Sequence, residues 1–408
     1  MISKKTRIST LLALAMSAST IAIAQEAGTI DQVQMGDVWS DMNVYVPDYT
    51  PEVASTSTAV GNAAAAVRNS GDITATVRQD FNASATATNS LRGYSADTAV
   101  STTTAYGNAI TSGTDYGTNT LWGTQTASGT ITANSEMELL GTATVSSATT
   151  AIANVSSSDN NFGTNIADQT QYSSANVRAE TDADACCDGY YASYATVAGG
   201  NATSSTGYTS SNYNRALQKT EAGSTITGVT DVYMNDGTNV TASTNSFGNS
   251  ATVNNEWGYA TLGLEGAPTT QVNGADVDAQ SYVTLDHWSG FATSSAYGVG
   301  NSALISNIGS DTAIYADQTN DGTVGSQASF TGQSWTGGTG IVTSTAIGNA
   351  ATATVCNYCS DGAVGGQINQ VNNGQTYATG SAHVAYGGAV YGSATAIGNS
   401  ATLQSIGD

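Results

Sequence analysis

The chain returns to one short motif eight times. An apolar–Gly–Asn unit places Gly, or once Ala, at Gly61, Gly107, Ala153, Gly200, Gly248, Gly300, Gly348 and Gly398, with steps of 46, 46, 47, 48, 52, 48 and 50 residues. Asparagine follows every time, as Asn62, Asn108, Asn154, Asn201, Asn249, Asn301, Asn349 and Asn399. The preceding residue is apolar in seven copies (Val60, Tyr106, Ile152, Phe247, Val299, Ile347 and Ile397) and is Gly199 in the eighth. A period of this size means stacked supersecondary units, each burying its face against the next copy. Such an array supplies length and surface rather than a single catalytic centre.

The strand signals around the motif set the expected fold. Ile341 to Ile347 leads in and Ala350 to Val355 leads out, both alternating and rich in Thr, Val and small residues. Glycine at the corner would supply positive φ, and asparagine tolerates the same region and bonds its own turn. Gly-Asn therefore closes either an arc between solenoid strands or a two-residue hairpin, and the long repeat favours the arc. Further Gly turns at Asp236-Gly237, Asp321-Gly322 and Asp361-Gly362 suggest two rungs per repeat. Sixteen rungs at about 4.8 Å would make a rod on the order of 75 Å long. The expectation is an all-β, elongated solenoid-like array of about eight repeats of 46–52 residues.

Residues 1–24 read as a secretory signal: Lys4, Lys5 and Arg7, then a mostly apolar run from Leu11 to Ile23, then Ala22-Ile23-Ala24 before Gln25. Residues 25–52 do not match the repeat and are expected to be a non-repeating cap or targeting segment, with the array covering 53–408. Two of the three prolines, Pro47 and Pro51, lie in that segment; Pro268 marks a looped insertion around Leu264 to Asn273. Without the signal the chain carries 31 acids against six bases, a net charge near −25. That charge argues against nucleic acid as a partner and against anionic lipid.

Little in the sequence carries catalytic chemistry. In an exported chain, Cys356 and Cys359 form the expected local disulfide, while Cys186-Cys187 is strained for mutual bonding. His287 and His383 do not cluster with cysteines at ligand spacing. Asp182, Asp184 and Asp188 with Gly189 miss the calcium-loop pattern. A solenoid lyase or hydrolase needs convergent carboxylates, with or without a base, on neighbouring rungs, yet no Lys or Arg follows Lys219. The chain is therefore read as non-enzymatic, with no cofactor and no metal. Trp122, Trp257, Trp288 and Trp335 sit inside repeats with many tyrosines; set on one face, they would suit adhesion.

The segments Ser57 to Ala63, Thr345 to Ala351 and Thr395 to Ala401 resemble head repeats of trimeric autotransporter adhesins, whose own repeat is much shorter. Gln367-Ile368-Asn369-Gln370-Val371-Asn372 is similar to curlin, without its short period. In architecture and composition the whole chain resembles the holdfast anchor protein D family of stalked bacteria. That resemblance implies passage through a curli-type secretion channel and display on the cell surface, peripherally attached to the outer membrane. It also implies attachment of an exopolysaccharide adhesin to the envelope alongside companion surface or outer-membrane anchor proteins. The alternative is a self-assembling, curlin-like fibre subunit, since low-charge strand edges pair with further copies. The third reading is a β-helical polysaccharide-degrading enzyme.

Overall fold

The computed structural model describes residues 27–187, 190–333, 337–356 and 362–407, with Cys186 and Cys187 described through their backbone alone. No described residue is helical; the chain winds through eight stacked turns of strand. The pairing between turns is parallel, and the one antiparallel contact among the described residues is the bridge Leu264↔Ala267. The repeat motif therefore closes an arc and not a hairpin, as parallel pairing requires.

The register corrects the expected rung count. Asn62 pairs with Asn108, and the same residue pairs onward through Asn154, Asn201, Asn249, Asn301, Asn349 and Asn399. The offset between neighbouring strands is thus the whole repeat, so one repeat makes one turn. Eight turns at the interstrand spacing give a stack about 38 Å tall, half of the sequence expectation. Asp236-Gly237, read as a turn, lies inside the strand Thr225–Glu256 and pairs with His287 and Trp288.

Each motif is a corner because the inward face changes phase there. Ser55, Ser57 and Ala59 point inward on odd positions, while Asn62, Ala64 and Ala66 do so on even ones. Two successive inward residues, Gly61 and Asn62, mark the bend. The glycine serves a different purpose from the one expected. None of the motif glycines has positive φ. A Cβ on Gly61 would lie 2.5 Å from the Gly107 carbonyl, and one on Gly300 would lie 2.5 Å from that of Gly348. Close approach of the next turn, not left-handed backbone, is what favours glycine at these corners, and Ala153 is the largest residue any of them holds.

The stretch 27–52, set apart by its sequence, winds as the start of turn one. Ala27–Gln34 pairs with Thr74 to Phe81, and Val38 to Val46 pairs with Ala85 to Gly93. The insertion at Pro268 is shorter than expected. Strand Ala260–Leu262 stops and Thr269–Asn273 resumes, and the register offset to the preceding turn grows from 48 to 53 residues.

The interior is a set of columns. One is nearly all small, including Ala59, Ala105, Ala151, Ala198 and Ala346. Alanine lets opposing strands approach closely, which accounts for a thin section from so few large side chains. A second, wider part of the core is a cluster that includes Leu91, Met137, Tyr194, Met234, Trp288 and Phe330. Trp288 packs edge-on against Phe330 with ring centroids 5.0 Å apart.

Candidate functional site

The eight motif asparagines form one continuous ladder. Each donates from Nδ2 to Oδ1 of the next at 2.8 Å, from Asn62 through to Asn399. The second N–H of each amide goes to a main-chain carbonyl on the facing strand, such as Asp80 for Asn62 and Lys219 for Asn201. Asn108 through Asn349 are fully buried. A buried amide is tolerated only when its hydrogen bonds are made, and here the turn above and the strand opposite make them.

A second ladder went unread in the sequence. Gln32, Gln79, Gln125, Gln171, Gln218, Gln271, Gln318 and Gln370 stack at the same period, each from Gln79 onward donating to the amide oxygen of the preceding glutamine at 2.7–2.9 Å. Each also donates to a carbonyl one residue past the motif asparagine: Gln79 to Ala109, Gln218 to Ser250, Gln370 to Ser400. The ladders thus cross-bond two facing strands, and they run in opposite directions. Steps of 46 to 53 residues between these glutamines were the available signal. A shorter third run, Asn273 to Asn320 to Asn372, joins only the late turns.

The outer surface carries its own column at a second corner. Phe162, Thr209 and Trp257 have φ of 60°, 52° and 62°, and Gly309 follows at 80°. Their N–H groups reach the next turn, Phe162 to Tyr208 O at 2.9 Å and Trp257 to Ile308 O at 2.8 Å. A bulky residue in this region is a strained choice, costing about 1–3 kcal/mol. The effect is to hold aromatic rings outward. Phe162 is 47% and Trp257 42% exposed. Tyr116 stacks on Phe162 at 5.2 Å, and Phe162 meets Tyr208 edge-on at 5.4 Å. Just past the corner, Tyr213 lies 5.6 Å from Tyr259.

Beside that edge, the Pro268 insertion walls an open cleft of roughly 180 Å³, with Leu264, Tyr315, Asp317, Gln367 and Asn369 among its lining. Asn369 donates to Asp317 at 2.7 Å. An aromatic ring beside planar amides and a carboxylate can stack on a sugar ring and bond its hydroxyls.

The other residues singled out by sequence are dispersed. Trp122 is half-exposed in the outward column that runs through Asp168 and Arg215, Trp288 is core, and Trp335 lies outside the described residues. The four tryptophans therefore do not form one surface set. Cys356 ends the strand Thr339–Cys356, and its expected partner Cys359 is outside the described residues, as are Asp188 and Gly189. Asp182 faces Asp231 and Glu136 on neighbouring turns; burial first, then these like charges, raises its carboxyl above the usual range. His287 sits 3.8 Å from Asp236. Among the described residues no group of His, Cys, Asp or Glu could hold a metal ion, and no helix is long and apolar enough to cross a membrane.

With this geometry in place, the comparison with known families is specific. The family model described as holdfast attachment protein D matches residues 47–325, more than half of the chain. The chain belongs to the holdfast attachment protein D family. Its match begins inside turn one and ends after the Pro268 insertion, so it takes in both outer corners and the insertion side of the cleft. No curated protein and no solved structure matches the chain. Membership in this family carries a role in holdfast attachment and associates the chain with holdfast components and the cell surface.

Proposed function

We propose that this family member is a non-enzymatic anchor that holds an exopolysaccharide adhesin along its aromatic edge and attaches it to the cell envelope. The observation that carries the reading is the strained, outward-held series of rings at Phe162 and Trp257, flanked by Tyr116, Tyr208, Tyr213 and Tyr259. Backbone strain spent on exposing a ring points to use of that ring, because packing alone would favour glycine there. Rings repeating at turn spacing suit a polymer with repeated sugar faces, and the cleft at Tyr315 and Asp317 adds directional hydrogen bonds. The acidic chain binds through stacking and hydroxyl contacts rather than through charge.

In this reading the chain is exported after loss of residues 1–24, crosses a curli-type channel, and stays at the outer membrane through companion anchor proteins. Residues 25–52 are the proposed recognition segment for that machinery. Trp39 and Tyr45 are 78% and 72% exposed there, which leaves them free for a partner. The test is binding of purified holdfast polysaccharide to the mature protein. Trp257→Ala combined with Tyr315→Ala should weaken retention at least about ten-fold, the loss expected from two stacking contacts of roughly 1 kcal/mol each. Unchanged binding by the double variant, or no binding by the parent protein, would refute the assignment.

A further inference from the structure

We infer that Trp122 and the Asp168–Arg215 ion pair are a second sugar-binding site, on the broad face of the solenoid and on the same face as the Pro268 cleft. One polymer of neutral pyranose rings then spans both, lying across the turns from Trp122 to Tyr315. This rests on the reading of the chain as a polysaccharide anchor and adds to it a further contact, the direction of the bound polymer and the class of sugar.

The register places these residues together. Trp122 pairs with Asp168 and Asp168 with Arg215, so the three stand in one outward column on successive turns. The next column over runs without a break from Thr124 through Thr170, Leu217 and Thr270 to Asp317 and Asn369, which line the cleft. The insertion rises between Arg215 and Tyr315. Leu262 pairs with Asn214 and Thr270 with Leu217, so residues 263–269 stand over Arg215 and Ala216. Leu262 also pairs with Ile314 and Thr269 with Ala316, which puts Tyr315 in the turn beyond. A polymer leaving the cleft therefore passes the insertion over Thr270 and Leu217 and reaches Arg215, Asp168 and Trp122 on its other side. The steps from Trp122 to Asp168, to Arg215, to the insertion and to Tyr315 cover about 19 Å at the interstrand spacing, room for several linked rings.

The chemistry of the face fits a sugar. An outward tryptophan on a strand paired along both sides has no core to fill. Trp122 is 47% exposed, and its column neighbours are Thr76 and Asp168. Among the described residues no other aromatic ring stacks on it. Thr120 and Thr124 flank it on the same face of its strand, so hydroxyls and not bulk border the ring. The indole is a flat platform on fixed backbone, the arrangement that stacks on a pyranose face. Arg215 Nη1 lies 3.4 Å from the Asp168 carboxylate, and both side chains are about one-third exposed. The pair offers donors and acceptors with no net charge, which suits sugar hydroxyls. A carboxylated ring would gain nothing from it and would meet the Asp317 carboxylate at the cleft.

The test is binding of holdfast polysaccharide fragments, separated by length, to the mature protein. Trp122→Ala should weaken long fragments at least about five-fold, the loss of one stacking contact. The shortest fragments, which fill only the cleft, should bind it like the parent, whereas Tyr315→Ala should weaken both. Trp122→Phe should keep most of the affinity for long fragments. Circular dichroism and the thermal midpoint should not change in either Trp122 variant, because the side chain is exposed. The indole N–H resonance of Trp122, identified by its loss in Trp122→Phe, should shift with long fragments and not with short ones. Affinity should not fall as salt is raised, since the ion pair presents no net charge. Unchanged long-fragment binding by Trp122→Ala, with the Trp257 and Tyr315 double variant still weakened, overturns this inference and leaves the edge reading standing. Equal loss of long and short fragments overturns it too, as does affinity that drops with salt. Failure of the parent protein to bind any fragment ends both proposals.

Discussion

Replacing Asn201 by alanine tests whether the amide ladder holds the turns together. Its Oδ1 accepts from Asn154 at 2.8 Å, and its Nδ2 donates to Asn249 at 2.8 Å and to the Lys219 carbonyl at 2.9 Å. The residue is fully buried. Alanine removes three hydrogen bonds and leaves the Asn249 oxygen and one Asn154 N–H without partners in a dry interior. At about 1–3 kcal/mol for each of these two buried polar groups left unsatisfied, the loss is about 2–6 kcal/mol. Asn161→Ala is the matched control, because Asn161 bonds Asp115 at an exposed site at 2.9 Å and should change stability by less than about 0.5 kcal/mol. Urea unfolding followed by circular dichroism gives both values, with coincident probes checking that the array still unfolds as one unit. Asn201→Asp sharpens the test. The carboxylate loses both donations and meets two oxygens, so its folded pKa must rise above the unfolded value of about 3.9. Its penalty is then smallest below pH about 4 and grows as pH rises toward neutrality. A loss under about 1 kcal/mol for Asn201→Ala, or an Asn201→Asp penalty that does not depend on pH, would refute the ladder as a stabilising element.

Gly300→Ala should cost about 1–3 kcal/mol in urea unfolding, because its Cβ would lie 2.4 Å from the Asn320 amide oxygen and 2.5 Å from the Gly348 carbonyl, while Gly398→Ala should be near neutral. Burial pushes the Tyr106 phenol up to about 12 and raises that of Tyr194 too. The folded state holds these protons more tightly, so their contribution is complete below pH about 10 and falls by about 1.4 kcal/mol per pH unit for each tyrosine as pH climbs toward the folded values. Tyr106→Phe should flatten that alkaline slope. Asp182→Asn should raise the thermal midpoint at pH 7 and lose its advantage near pH 4, because burial and the acids around it raise the Asp182 carboxyl. Non-reducing mass spectrometry of the exported protein should find no free thiol at Cys356 or Cys359, and reduction should cost little stability, since so short a closed loop constrains the unfolded chain weakly.

The sequence by itself determined the strand class, the period and the residue set that stacks. Identical side chains can share a hydrogen-bonded column only when the same position returns every turn, and the eight asparagines declared that position. The glutamine column was equally legible at Gln79, Gln125 and Gln171, but glutamine on an alternating strand looks like any outward polar residue. Only the structure showed it facing inward. Tertiary packing also decided the number of rungs, because strand alternation reads the same whether a repeat closes once or twice. It decided why glycine occupies the corner: sequence suggests a left-handed turn, whereas the cause is the next turn's carbonyl 2.5–2.6 Å from where a Cβ would stand. The left-handed residues are instead Phe162, Thr209 and Trp257, types that local preference would place elsewhere. Their conformation is fixed by N–H bonds to the following turn, 46 to 51 residues away, a distance across which local sequence carries no information.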